Sequence, residues 1–147
     1  IAYWAQTMHQ RQIKPDFAIF EVGMIANSLR LVEEGWFEPP HLFSFVLGQV
    51  GAMPATPRNL MFISESLPND AVWGVAGHGG HDLEMAALAM NLGGHIRAGF
   101  EDNAYYRPGE LATSNAQLIE RLVRMVEEIG REVATPSEAR RMLGISS

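Results

Sequence analysis

Three stretches of the chain are nearly unbroken apolar runs of strand length, each closed by a glycine. They are residues 17–22 before Gly23, residues 42–47 before Gly48, and residues 71–76 before Gly77. Runs of this kind predict strands buried on both faces. A fourth stretch, residues 95–102, alternates instead: Ile96, Ala98 and Phe100 interleave with Arg97, Gly99 and Glu101, which predicts a strand whose two faces differ. Between these runs the apolar spacing becomes helical. Residues 27–34 close at Gly35, residues 59–67 follow a Gly/Pro-rich loop, and residues 82–91 end at Gly93-Gly94. Residues 115–130 form a long amphipathic pattern with Leu118, Ile119, Leu122, Val123, Val126 and Ile129 directed inward. A leading helix over residues 1–14, with Ile1, Trp4, Ala5 and Met8 at helical spacing, stops before Pro15. A short terminal helix is announced by the cap signal Thr135-Pro136-Ser137-Glu138.

Strand and helix alternate at a spacing of about 25 to 30 residues, the rhythm of parallel βα units. Two α/β architectures offer that rhythm. A doubly wound sheet calls for a glycine-rich nucleotide turn after its first strand, and Glu21-Val22-Gly23-Met24-Ile25-Ala26 does not supply one. A (βα)8 TIM barrel needs about 250 residues. Four βα units plus a leading and a terminal helix in 147 residues therefore predict a single partial domain over 1–147, the C-terminal half of such a barrel. The start at Ile1, with no signal-like region before the globular pattern, favours reading the chain as a piece of a longer protein.

Composition narrows the partners. Eleven Lys and Arg against 17 Asp and Glu give a net charge of -6, so no overall basic field draws nucleic acid or anionic lipid. No apolar run reaches the roughly 18 residues of a membrane span. With no Cys there is neither a disulfide framework nor a thiolate metal site, and a reducing, cytoplasmic setting fits. Small molecules and other protein chains remain as partners.

In a βα barrel the chemistry lies where strands exit. The end of the fourth run places Arg97 and Glu101 on one face with Asp102 at the exit, two acids and a cation closing a buried strand. Such charges are costly to desolvate unless a metal or mutual pairing compensates them. One reading makes Glu101 a metal ligand and Asp102 a general base oriented by Arg97. The other makes the three a structural ion pair that locks the strand end. His78 and His81, in Gly77-His78-Gly79-Gly80-His81-Asp82, have a spacing that a zinc site uses, but a loop histidine is more often a solvated or capping residue. Asp82 reads equally as the N-cap of the next helix. His95 precedes its strand and falls toward the stabilising end of a barrel, as do His9 and His41. Glu21 is either a site acid or an exit-loop residue. Met85, Met90 and the Trp and Phe residues read as core.

Several blocks of the chain are familiar. They are Pro54-Ala55-Thr56-Pro57 after Phe45-Val46-Leu47-Gly48, Trp73-Gly74-Val75-Ala76-Gly77, the segment from Gly93-Gly94-His95 to Glu101-Asp102-Asn103, Ser114-Asn115-Ala116-Gln117-Leu118, and Gly130-Arg131-Glu132-Val133-Ala134-Thr135-Pro136. Together they resemble the β-keto acid cleavage enzymes across nearly the whole chain. The resemblance implies a zinc-dependent (βα)8 acyltransferase, usually a homotetramer, that takes a β-keto acid and acetyl-CoA to acetoacetate and a new acyl-CoA. It implies Glu101 as a metal ligand beside a His-x-His pair on an early strand, and Arg97 and Asp102 as the dyad that deprotonates the substrate carbon next to the carbonyl. The His-x-His pair, a further acid and the hydroxyl residues of that family would lie upstream of Ile1, so the isolated piece is expected to be inactive. The chain departs from the family pattern at His78 and Gly80, where Ile and Arg are common, at Ala18, where Glu is common, and at Glu21, where Asp is common. An alternative is a non-catalytic α/β interaction domain with structural Arg–carboxylate pairing.

Overall fold

A computed structural model describes residues 1–145. The helix α1 (Ala2–Gln10) leads into β1 (Asp16–Ile19), α2 (Gly23–Glu33), β2 (Leu42–Leu47), α3 (Pro57–Glu65), β3 (Val72–Gly77), α4 (Asp82–Leu92) and β4 (His95–Arg97). The hairpin of β5 (Tyr105–Arg107) and β6 (Glu110–Leu111) follows, then α5 (Asn115–Glu128) and α6 (Pro136–Met142). Strands β1 to β4 form one parallel sheet in chain order, with Phe17 opposite Phe43, Phe43 opposite Trp73 and Val75 opposite Ile96. The expected α/β class and its four parallel strands are thus present. No helix among the described residues is long and apolar enough to cross a membrane.

The two faces of the sheet are chemically different. Ile19, Phe43, Phe45, Leu47 and Val75 join Ile25 of α2, Leu60 and Ile63 of α3, and Met85 and Ala89 of α4 in one buried core. Burying each of the large side chains contributes about 1.5–3 kcal/mol relative to exposure. A second cluster joins Ala86 and Met90 of α4 to Leu122 of α5, with Ile96 of β4 packed against it. Helices α2 to α5 therefore lie on the same side, and the strand order never reverses, so these four strands do not form the doubly wound arrangement. By the two-residue period of a strand, Asp16, Ser44, Gly74, Ala76, His95 and Arg97 occupy the other face. That face mixes small and polar residues with the apolar Leu42, Val46 and Val72, and Ser44 donates its hydroxyl to Asp16 Oδ2 at 2.7 Å. Helix α6 lies over part of it, where Ala139, Met142 and Leu143 line a cavity of about 230 Å³ with Leu42, Ala76 and Arg97.

Several expectations need correction. Strand β4 is three residues long and stops at Arg97, because the chain turns at Gly99, whose carbonyl accepts the amides of both Asp102 and Asn103 at 3.0 Å. Glu101 and Asp102 therefore sit in a turn, not on the strand. Strand β1 ends at Ile19, and α2 begins at Gly23 rather than at residue 27, since Glu21 Oε2 accepts the Gly23 amide at 2.9 Å and starts the helix early. In α1 only Ala5 is buried, while Tyr3 and Trp4 are exposed. Ile119 of α5 and Ile129 at its C-cap are also exposed, and Leu118 and Leu122 carry the helix's contact. Met85 and Met90 are core as expected, whereas Phe100 is exposed.

Candidate active site

The C-terminal ends of β2, β3 and β4 converge on one group of polar side chains. Gly77 lets the chain turn sharply out of β3: a Cβ there would lie 2.5 Å from the carbonyl oxygen of His81. The next residue, His78, is anchored by its amide to Leu47 O at the end of β2, at 2.8 Å. The loop after β4 is bound to the loop after β3 through Gly79, whose amide reaches Asp102 O at 3.3 Å.

Arg97, the last residue of β4, reaches over this loop. Its Nε donates to Asp102 Oδ2 at 3.1 Å and its Nη2 to Asp102 Oδ1 at 3.0 Å, a two-pronged grip on one carboxylate. The same Nη2 donates to Glu101 Oε2 at 2.9 Å. Burial is graded across the group: side-chain exposure is 1% for Asp102, 45% for Arg97 and 82% for Glu101. The structure therefore brings Arg97, Glu101 and Asp102 together, although a turn does so rather than the strand alternation.

The histidine pair separates. His78 Nε2 lies 3.0 Å from Asp102 Oδ1, with its side chain 17% exposed, while His81 turns away to Glu84 Oε2 at 3.3 Å on the surface. The two face different acids. His9 and His41 bond the carbonyls of Trp36 and Phe37, in the bland role expected of them. His95 is exposed and belongs to β4 itself, on the same sheet face as Arg97.

Asp82 is not the N-cap of α4, for His81 occupies that position without a side-chain bond. Asp82 is buried and receives Arg121 Nη2 at 2.8 Å on Oδ2 and Asn103 Nδ2 at 2.8 Å on Oδ1. Arg121 also donates to Tyr106 O and stacks over the Tyr106 ring, 4.8 Å from its centroid. Sequence reading missed this second group because Asp82, Asn103 and Arg121 belong to three separate segments with no shared motif.

Among the described residues no group of three or more His, Cys, Asp or Glu is placed to hold a metal. Among the described residues Glu101 Oε1 has no partner and the side chain is exposed, which suits one ligand position. Asp102 and His78 are already committed to each other, and Asp102 also to Arg97. Any metal at this site would take its remaining donors from outside residues 1–145.

A parallel α/β sheet with an acid–guanidinium group at the strand exits defines a class of small-molecule site rather than a particular activity. Comparison with known proteins supplies the family. The β-keto acid cleavage enzyme family matches residues 1–145, and the chain belongs to it. The 3-keto-5-aminohexanoate cleavage enzyme of Fusobacterium nucleatum is 46% identical over 145 residues, covering 99% of this chain and 53% of that protein. Its namesake from Acetoanaerobium sticklandii is 43% identical, covering 99% of this chain and 54% of that protein. The 3-oxoadipate:acetyl-CoA acetyltransferase of Cupriavidus necator is 36% identical, covering 100% and 53%. The chain spans about half the length of the curated relatives it matches.

Proposed function

We propose that the protein to which this chain belongs cleaves a β-keto acid with acetyl-CoA. The balance is R–CO–CH2–COO⁻ plus CH3–CO–SCoA giving R–CO–SCoA plus acetoacetate: the acyl group moves to CoA sulfur and the acetyl group to the carbon that lost it. The chain is then half of a (βα)8 barrel, with the sheet face opposite helices α2 to α5 as part of the barrel interior. The same reading carries a homotetrameric, cytoplasmic enzyme. The observation that supports it most is the two-pronged Arg97–Asp102 pair beside an exposed Glu101, at the strand exits of a chain in this family.

Asp102 is the general base for the proton on the carbon between the ketone and the carboxylate. Arg97 holds the carboxylate in plane, and its own partial exposure leaves one side toward an incoming anion. Glu101 is one ligand of a zinc ion. When bound, the zinc serves as a Lewis acid toward the substrate's keto oxygen and so acidifies that C–H bond.

Two substitutions in the complete protein test this. Asp102→Asn is expected to slow solvent-deuterium exchange at C2 of 3-keto-5-aminohexanoate by about 10²–10⁴-fold while zinc content is unchanged. Glu101→Ala is expected to lose most of the bound zinc, read by elemental analysis. Unchanged exchange in the first variant removes Asp102 from the chemistry, and unchanged zinc and turnover in the second removes Glu101.

One observation favours a second reading. The Asp102 side chain is almost fully buried with three donors on it, as a structural anchor would be. On that reading the pairing only locks the turn after β4, the chain is a non-catalytic interaction domain, and Asp102→Asn alters stability without altering exchange.

A further inference from the structure

We propose that His78 is a positioning residue for Asp102, one that assigns the two carboxylate oxygens different tasks. The inference rests on Asp102 acting as the base. Oδ1 faces two donors, Arg97 Nη2 and His78 Nε2, both at 3.0 Å, whereas Oδ2 faces one, Arg97 Nε at 3.1 Å. A carboxylate oxygen has two lone-pair directions, so Oδ1 is filled and Oδ2 retains one place. The place left for a substrate proton is therefore on Oδ2.

An ionised carboxylate only accepts, so His78 must carry its hydrogen on Nε2. The backbone that carries the imidazole has an anchor apart from the Asp102 carboxylate. His78 is tied by its amide to Leu47 at the end of β2, it follows the sterically closed Gly77, and its loop grips Asp102 a second time through the Gly79 amide. Without His78, the Arg97 fork alone would orient the carboxylate, and Arg97 is half exposed and shared with Glu101. Oδ1 would then regain an open lone pair and compete with Oδ2 for the proton.

The test uses the complete, zinc-loaded protein and deuterium exchange at C2 of 3-keto-5-aminohexanoate. His78→Leu removes the donor and keeps the bulk. Exchange should slow about tenfold, the effect of losing one bond to a charged group, with KM changed less than about twofold. His78→Gln places an amide donor near the Nε2 position and should return the rate to within about threefold of the parent. In an Asp102→Asn background, His78→Leu should add nothing.

Failure of the two ideas looks different. Full exchange in Asp102→Asn overturns the base assignment, and this inference with it. Loss of exchange in Asp102→Asn alongside a normal rate in His78→Leu, or a deficit that Gln does not repair, overturns the role of His78 alone. Imidazole nitrogen spectra of the parent and Asp102→Asn serve even where His78→Leu does not fold. The Nε2 resonance should report a bound proton and shift on loss of the carboxylate charge, and an unmoved resonance counts against the contact.

Discussion

The turn after β4 divides two ionic groups that differ in construction. Asp102 bonds His78 and Arg97, which also holds Glu101, and its neighbour Asn103 bonds Asp82, which Arg121 holds from the other side. In the second group both ions are covered: Arg121 is 11% exposed and Asp82 is 4% exposed, and each Asp82 oxygen has a donor. In the first the buried acid is gripped by a cation that is half in solvent, beside a second acid with an oxygen to spare. A closed pair has nowhere to put a ligand. On the proposed function, partial opening rather than charge alone separates the group assigned the chemistry from the one that fastens α4 to α5.

The sharpest way to break that contrast is Asp82→Ala. It leaves the Arg121 guanidinium buried without its counter-ion, and Arg121 Nε already lacks a hydrogen-bond partner among the described residues. The expected cost is about 3–5 kcal/mol of unfolding free energy, measured by denaturant titration. Exchange chemistry per folded molecule should be unchanged. A variant that unfolds normally but exchanges slowly would give the second group a catalytic part.

Arg97→Lys probes the other side with a smaller effect on stability. Lysine keeps the charge but replaces the planar fork with a single point, so it cannot reach Oδ1 and Oδ2 of Asp102 together. Because Arg97 is half exposed, solvent screens the pair and the loss of stability should stay within about 1 kcal/mol. Deuterium exchange should nevertheless slow by about tenfold or more. Equal stability and equal exchange would show that the fork has no role beyond its charge.

Much of this contrast could be read from the chain, and the remainder has identifiable physical causes. The apolar runs of β2 and β3 are continuous because helices cover one face while Leu42, Val46 and Val72 keep the other largely apolar, so periodicity locates them closely. Alternation then overextended β4. Phe100 looks like a strand residue, yet Gly99 ends the strand by accepting two amides, and no local propensity marks that. The hairpin of β5 and β6 lacks any apolar run, with most of its residues exposed, and only Pro108-Gly109 hints at its turn. Arg97, Glu101 and Asp102 were legible because they lie within six residues of one another. His78 reaching Asp102 was not, since it requires β3 and β4 to be adjacent in the sheet and in parallel register.

The smallest effect concerns what covers the open side. Helix α6 lies over the sheet face that carries Arg97, and a seven-residue helix depends heavily on its cap. Thr135 and Glu138 form that cap reciprocally: the Thr135 amide and hydroxyl donate to Glu138 Oε2 at 2.8 and 2.7 Å, and the Glu138 amide donates to Thr135 Oγ1 at 3.3 Å. The Thr135 backbone bond first, and its hydroxyl second, hold the Glu138 carboxyl below the ordinary glutamate range. The ionised form is the one the cap favours, so its contribution is complete above the ordinary range and fades as pH falls through the lowered value. Carbon chemical shifts of α6 should accordingly lose helical character with the Glu138 titration. Asp82 and Arg121 hold α4 and α5 together without this cap, so those helices should keep their amide protection across the same range. Thr135→Ala should move the Glu138 titration back toward the ordinary range. If α6 instead stays fully helical while Glu138 protonates at its ordinary value, the cap does not control the cover. The openness of the Arg97 group would then have to be explained by the sheet alone.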